Sequence, residues 1–275
     1  MSSHPSSNGY GAINGSGRLT TAADDEEQPL LGGGWGSKSR WRNNLMVNVR
    51  REYTDLVLLA CYFVTGLLDS AAISTWGSFV SMQTGNTVYF GLGIAAPHES
   101  TRWIKSGASI AFFCLGSVFF SFFHRYFSPT RRWVLCASFV IQMITIVMAA
   151  AILMFGPKSF DPRESIEWPE LVPIALIAFQ SCGQAVVSRA LKQNALTSVV
   201  LTSIYCDLFS DANLLAMKNA ERNRRVAAPL LLFGGAVVGG FLARSSLGCA
   251  GALWVAAVLK LAIIITWFLW PADTE

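Results

Sequence analysis

Five stretches of this chain run for 18 to 23 residues almost without charge. They are 106–123, 133–155, 171–188, 226–243 and 250–270, and only the last holds a charged residue, Lys260. About 20 helical residues cross the hydrocarbon core of a bilayer. Every backbone N–H and C=O must be satisfied within such a segment, so runs of this kind are read as membrane-spanning helices. A buried helix of a soluble protein explains one such run, not five. Charged residues are 14% of the chain, against roughly 25% in ordinary soluble domains. The expected class is all-α: a polytopic helical membrane protein whose first partner is the lipid bilayer.

Two further regions are apolar but interrupted. Residues 56–97 hold one charge, Asp69, and include "FVSMQTGNTVYFG" at 79–91. Residues 193–217 are broken by Asp207 and Asp211. The expectation is six full spans plus two polar interrupted or re-entrant segments, with eight spans as the alternative. Six crossings put 14 Lys and Arg on the cytoplasmic side and 5 on the other, while eight give 13 and 6, so the positive-inside rule does not separate them. Six is preferred because the basic loop with Arg125, Arg131 and Arg132 then falls inside and the acidic loop at 156–170 outside. Both paths leave the two termini in the cytoplasm. In each half an apolar span leads into a polar, interrupted segment, and two apolar spans follow. Thr84 and Thr202 occupy similar places, which suggests a two-fold internal repeat. Transporters often carry paired broken segments at corresponding positions.

Residues 1–50 read as a disordered cytoplasmic tail, 51–271 as the transmembrane domain and 272–275 as a short cytoplasmic end. The tail opens on a Ser/Gly/Asn-rich stretch too polar to fold alone, without the apolar core of a signal peptide. Its "EEQPLL" at 26–31 fits an acidic dileucine sorting signal built from Glu26, Leu30 and Leu31, with sorting adaptors as its partners. That signal points to an endosomal or vacuole-like membrane, and its absence of effect to the plasma membrane.

Asp69 lies roughly 20 Å into the first span, where a carboxylate costs at least about 2.5–3.5 kcal/mol unless paired, protonated or hydrated. Lys260, near the centre of the last span, is its expected charge partner. The architectural reading is a buried pair, and the functional reading has Asp69 binding a coupling proton, with Asp207 as a second candidate. Gln83, Thr84 and Asn86 supply hydrogen-bond donors and acceptors, and Gly85 lets a backbone or ligand come close. Polar backbone at membrane depth is tolerated when buried in protein or lining a cavity. This patch is therefore interhelical glue, or a site for a neutral or zwitterionic solute faced by Gln180 and Gln184. Gly235 and Gly239 form a GxxxG helix-packing face, and Gly248 with Ala252 a similar small-residue pair.

No catalytic signature is found. "HESTR" at 98–102 is not HExxH, and neither a GxSxG elbow nor a P-loop occurs. The three histidines, at 4, 98 and 124, fall outside the five runs. The six cysteines lie within hydrophobic segments and lack metal-ligand or redox spacing. No enzyme, cofactor, metal or nucleic-acid partner is expected; a small solute and further copies of the chain are.

The stretch "GLLDSAAISTWGSFVSMQTGNTVYFGLG" at 66–93 resembles the signature of the YoaK-like membrane proteins, a family of unknown function. The shared features are an acidic residue in a glycine-flanked span (Asp69), the step Phe79-Val80-Ser81, and Thr84-Gly85-Asn86. The stretch 184–208, with Thr202 and Asp207, resembles the family's other such segment, and the likeness covers roughly residues 50–270. It implies about six spans and no particular activity. Gln83 and the long tail depart from the bacterial pattern, and the tail fits a fungal member. The function expected from these residues is a small-solute transporter or permease with a polar site around the TGN triplet. The alternative is a non-transporting membrane scaffold.

Overall fold

A computed structural model describes residues 42–157, 168–193, 196, 198–216 and 218–273. Its named helices are α1 (Thr54–Trp76), α2 (Gln83–Ala95), α3 (Arg102–Phe127), α4 (Arg132–Phe155), α5 (Trp168–Ala190), α6 (Thr202–Phe209), α7 (Ala220–Arg244) and α8 (Gly248–Leu269). Among the described residues six helices, α1, α3, α4, α5, α7 and α8, are long and apolar enough to cross a membrane. At 1.5 Å per residue, α2 reaches about 20 Å and α6 about 12 Å, short of a core roughly 30 Å thick.

The apolar segment 56–97 breaks at Gly77, whose φ of 73° lies in the left-handed region and whose N–H closes the last turn of α1 on the Ile73 carbonyl at 3.1 Å. At the head of α7, the Asn219 side chain accepts from the Arg222 N–H at 3.0 Å. This cap lets the helix begin six residues before the apolar run, within a charged stretch.

α1 and α5 are the most buried helices, while α3 and α7 keep most of their length on the surface. α7 packs along α1, α3 along α5, and α4 along α8; α4 also meets α5, and α1 also meets α8. The close approach of α7 to α1 depends on Gly235 and Gly239, where a Cβ would overlap the Phe63 and Leu67 carbonyls. Gly116 of α3 lies against the Phe179 carbonyl of α5 in the same way. Gly248 does not extend this pattern. It stands at the start of α8 with a φ of 58° and nothing near its missing Cβ, so backbone conformation rather than helix packing calls for glycine there.

The helix ends gather on two faces. On the first, Val49 N–H donates to Thr130 O at 2.9 Å, Asp273 N–H to Asn48 O at 2.8 Å, and Arg132 reaches both Asn44 and the Trp270 carbonyl. Asp55 at the start of α1 meets Arg224 at the start of α7 on this face. On the opposite face, Arg102 at the head of α3 donates to the Gly77 carbonyl, and Lys105 pairs with Glu170 at the head of α5. Next to the expected tail boundary at residue 50, residues 42–46 form a helical turn, and 48–50 are tied to the 128–131 loop and to residues 271–273. The acidic dileucine residues Glu26, Leu30 and Leu31 lie outside the described residues.

Candidate functional site

Two polar clusters stand inside the bundle. The first organises the break between α1 and α2. Asp69 Oδ1 accepts the Val80 and Ser81 N–H groups at 2.8 and 2.9 Å, and the Ser81 hydroxyl donates to Oδ2. Asn86, fully buried, closes the same loop from the other side. Its Oδ1 accepts from the Ser78 hydroxyl at 3.1 Å and the Phe79 N–H at 3.0 Å. Its Nδ2 donates to Phe79 O at 2.8 Å, to Gln83 Oε1 at 3.0 Å and to the Ser109 hydroxyl of α3 at 3.0 Å. Gln83 Nε2 also reaches Ser109, at 3.3 Å. The amide of Asn86 is thus engaged at both ends by protein, whereas the Thr84 side chain is exposed. Gly85 packs under Phe79 and Met82, where a Cβ would be crowded.

The second cluster centres on Lys260, which has no exposed surface. Its Nζ donates to Gln142 Oε1 of α4 at 2.6 Å and to Gln184 Oε1 of α5 at 2.5 Å, and it lies 5.0 Å from the Phe139 ring centroid. Gln184 Nε2 donates to the Thr65 hydroxyl of α1 at 3.0 Å. Gln142 Nε2 lies 3.4 Å from the Ser138 hydroxyl, which is 3.2 Å from His124 Nε2 of α3. Gly183 makes room for this arrangement, since a Cβ there would strike the Gln142 amide. One turn from Gln184, Gln180 is fully buried; its Nε2 donates to Ser181 and its Oε1 is without a hydrogen-bond partner.

The position of this cluster matters more than its membership. On α1 the residues 57–62 belong to one apolar core and 64–76 to another, with Thr65 at the change. On α4 the change falls between Phe139 and Ile146, around Gln142. On α5 it falls between Ile177 and Val187, around Gln180 and Gln184, and on α8 between Ala257 and Ile263, around Lys260. A polar layer therefore separates two apolar cores, one towards each face.

The ion pair expected between Asp69 and Lys260 does not form. Asp69 is about 10 Å from the opposite-face end of α1, whereas Lys260 is about 18 Å along α8 from that same face, so the two differ in depth by roughly 8 Å. Each has other partners. Gln184 binds Lys260, Gln180 stands one turn away on α5 and bonds only Ser181, and the contacts of Gln83, Gly85 and Asn86 lie in the loop cluster. Asp207 is on neither: its side chain is exposed on the first face, beside a cleft of about 730 Å³ also lined by Asp211, Asn219 and Arg225. There the Asn213 N–H, with Asn219 and Arg225, holds the Asp211 carboxyl below the usual carboxylate range.

Sequence reasoning missed Gln142, Thr65, Ser109 and His124. Gln142 was visible as the one amide in 133–155. His124, outside the apolar runs, is drawn into the last turn of α3 and buried.

A family profile described as "Protein of unknown function (DUF1275)" matches residues 57–266, nearly the same region as the YoaK-like resemblance. No curated protein and no solved structure matches.

Proposed function

The chain belongs to the family DUF1275, and from that premise we propose that it carries a small solute across a membrane between two halves of inverted topology. The observation that carries the reading is the polar layer of Thr65, Gln142, Gln184 and Lys260 sealed between two apolar cores. Polar groups at mid-depth can fasten helices to one another, but an ionisable residue there is expensive and marks a solute or proton path. The solute site is assigned to this layer, with Gln180 at its edge. Lys260, rather than Asp69, is the ionisable group assigned to coupling. Asp69, Gln83, Gly85 and Asn86 hold the break in the first half, and Thr84 is the group of that patch free to meet solute.

Two inverted halves are supported by the pairing of helices. Each half is a long helix, a break with a short helix, and two long helices. Exchanging the halves turns the α1–α7 contact into α5–α3 and the α4–α5 contact into α8–α1, and leaves α4–α8 unchanged. Three crossings per half make the second half enter from the other side, as in many secondary transporters. The six-crossing path follows, with α2 and α6 as the short broken pieces on opposite faces. The first face, which holds most Lys and Arg, is assigned to the cytoplasm with both termini. Delivery to an endosomal or vacuole-like membrane is assigned to Glu26, Leu30 and Leu31.

A thermal-shift panel of amino acids, nucleobases, sugars and carboxylates on the purified protein tests the carrier. Each ligand that binds the folded state adds RT ln(1 + [L]/Kd), so weak solutes register at high concentration. A stabilising solute whose effect is lost in Gln184→Leu, and which moves in proteoliposomes, supports the reading. A well-folded sample that responds to nothing moves the assignment to a non-transporting scaffold. That second reading has its own support in Asn86, whose amide is wholly spent on holding protein to protein.

A further inference from the structure

Of the ion pairs among the described residues, two join different halves of the chain. Asp55 in the first turn of α1 meets Arg224 in the first turns of α7, at 2.6 Å. Glu170 in the first turn of α5 meets Lys105 in the first turn of α3, also at 2.6 Å. Under the exchange of halves α1 becomes α5 and α7 becomes α3, so each pair is the counterpart of the other. Each ties the opening of a central helix to the opening of a peripheral helix from the other half. One stands on each face of the bundle. In both the carboxylate opens the central helix and the base the peripheral one, and each has a member largely withdrawn from solvent, Asp55 at 5% side-chain exposure and Lys105 at 12%.

We propose that Asp55–Arg224 and Lys105–Glu170 are paired face locks, which open in alternation so that the polar layer meets one face at a time. The geometry assigns each lock a core to guard. Asp55–Arg224 stands beyond the apolar core that contains Leu58, Tyr62 and Trp267, and Lys105–Glu170 beyond the one that contains Trp76, Ile174 and Cys249. With both pairs closed and both cores packed, the layer at Lys260 is shut from either side, which makes this an occluded state. Parting α7 from α1 breaks the first lock and its core together. Parting α3 from α5 breaks the second lock and the smaller cluster of Phe120, Cys182 and Val186 between those helices; the core at that face takes Ile174 and Ile177 from α5 and no described residue from α3. Because the halves are tied at both ends, an opening at one face turns them about the central layer and presses the far ends together. The remaining ion pairs, Arg50–Glu52, Arg225–Asp211 and Arg225–Glu221, lie within one half or its flanking segment and do not span the division.

The purpose of the locks rests on the carrier reading, but their alternation is tested without any solute. Hydrogen–deuterium exchange of the full chain in lipid nanodiscs reports opening at each face separately. Asp55→Asn is expected to raise exchange about fivefold in 54–58 and 220–226. The same variant is expected to slow exchange in 102–106 and 168–172. Glu170→Gln is expected to give the mirror image. Reversing the first pair, Asp55→Arg with Arg224→Asp, is expected to restore both faces, and it supplies the reading if Asp55→Asn does not fold. Loosening at both faces, or loosening at the altered face with no change at the other, overturns the proposal and leaves two independent fasteners. Reciprocal exchange in a protein that moves no solute keeps the locks and sinks the carrier. Solute flux without reciprocity does the opposite.

Discussion

Gln142 and Lys260 are separated by 118 residues in sequence and joined by a hydrogen bond of 2.6 Å at the centre of the bundle. The same separation relates Thr84 to Thr202 and the first residue of α3, Arg102, to the first of α7, Ala220. If the halves are copies, Gln142 and Lys260 are one position seen twice, meeting where the two halves join. The bundle's central contact is then a symmetric place filled asymmetrically, by an amide on one side and an amine on the other.

Lys260→Gln separates architecture from chemistry at that place. Two facing amides still hydrogen-bond, so the variant is expected to fold and to lose no more than about 1–3 kcal/mol, the cost of leaving one buried acceptor unpaired. Lys260→Leu strands both Gln142 and Gln184 and is expected to cost at least twice as much. Solute response in thermal shift, or flux in liposomes, should vanish in both. A Lys260→Gln protein with full flux would remove the lysine from the cycle.

Gly235→Ala and Gly116→Ala test the packing that the two halves share. At both positions a Cβ would overlap a backbone carbonyl of the facing helix, which cannot move aside as a flexible side chain can. Overpacking of this kind costs typically about 1–3 kcal/mol. Each variant should lower the unfolding temperature in detergent, and by similar amounts if the α7–α1 and α3–α5 contacts are counterparts. A neutral Gly235→Ala beside a damaging Gly116→Ala would break the correspondence.

Much of this bundle could be read from the chain alone, because a bilayer allows few alternatives to a helix and each apolar run marks one. The helix ends were harder. α7 starts at Ala220 because Asn219 caps it, and nothing apolar signals that turn. Hydropathy also could not place the break at Gly77, which is decided by a left-handed backbone and by Asp69 holding the Val80 and Ser81 N–H groups. Asp69 and Lys260 are opposite in charge but lie roughly 8 Å apart in depth, a difference that charge patterning along the chain does not reveal. Gln142 carried its meaning only once α8 had been brought beside α4.

Asp69→Asn follows from the loop geometry. The carboxyl receives three donors from 80–81, and a hydrogen bond contributes about 0.5–1.5 kcal/mol, rising to about 1.5–3 kcal/mol where the acceptor is charged. An amide keeps one acceptor and turns a donor towards the Ser81 hydroxyl. Hydrogen exchange in 78–86 is expected to rise by one to two orders of magnitude, with 202–209 unaffected. Unchanged protection in 78–86 would mean that the loop is held by Asn86 alone.

The sorting assignment is independent of the bundle. Replacing Leu30 and Leu31 by alanine in a fluorescent fusion should shift the protein from an internal membrane to the cell surface. An unchanged distribution would leave "EEQPLL" without a role in delivery.

Asn86→Ala and Thr84→Val divide glue from solute contact within the TGN triplet. Asn86 is buried and bonded at both ends of its amide, so its loss leaves the Phe79 N–H without its acceptor, while the Ser78 hydroxyl keeps Ser106 and Ser109 keeps Gln83. A buried group left unsatisfied costs about 1–3 kcal/mol, and the contacts to Gln83 and Ser109 are lost with it, so the variant should be clearly destabilised, with lower yield and earlier unfolding. Thr84 is exposed on the first turn of α2, so valine there should leave stability within about 0.5 kcal/mol of the parent. If Thr84→Val keeps its fold but loses the stabilisation given by a solute, the exposed side of the triplet lies on the solute's path. If the solute still stabilises it fully, the triplet is a fastener throughout and the path runs by Gln180, Gln184 and Lys260.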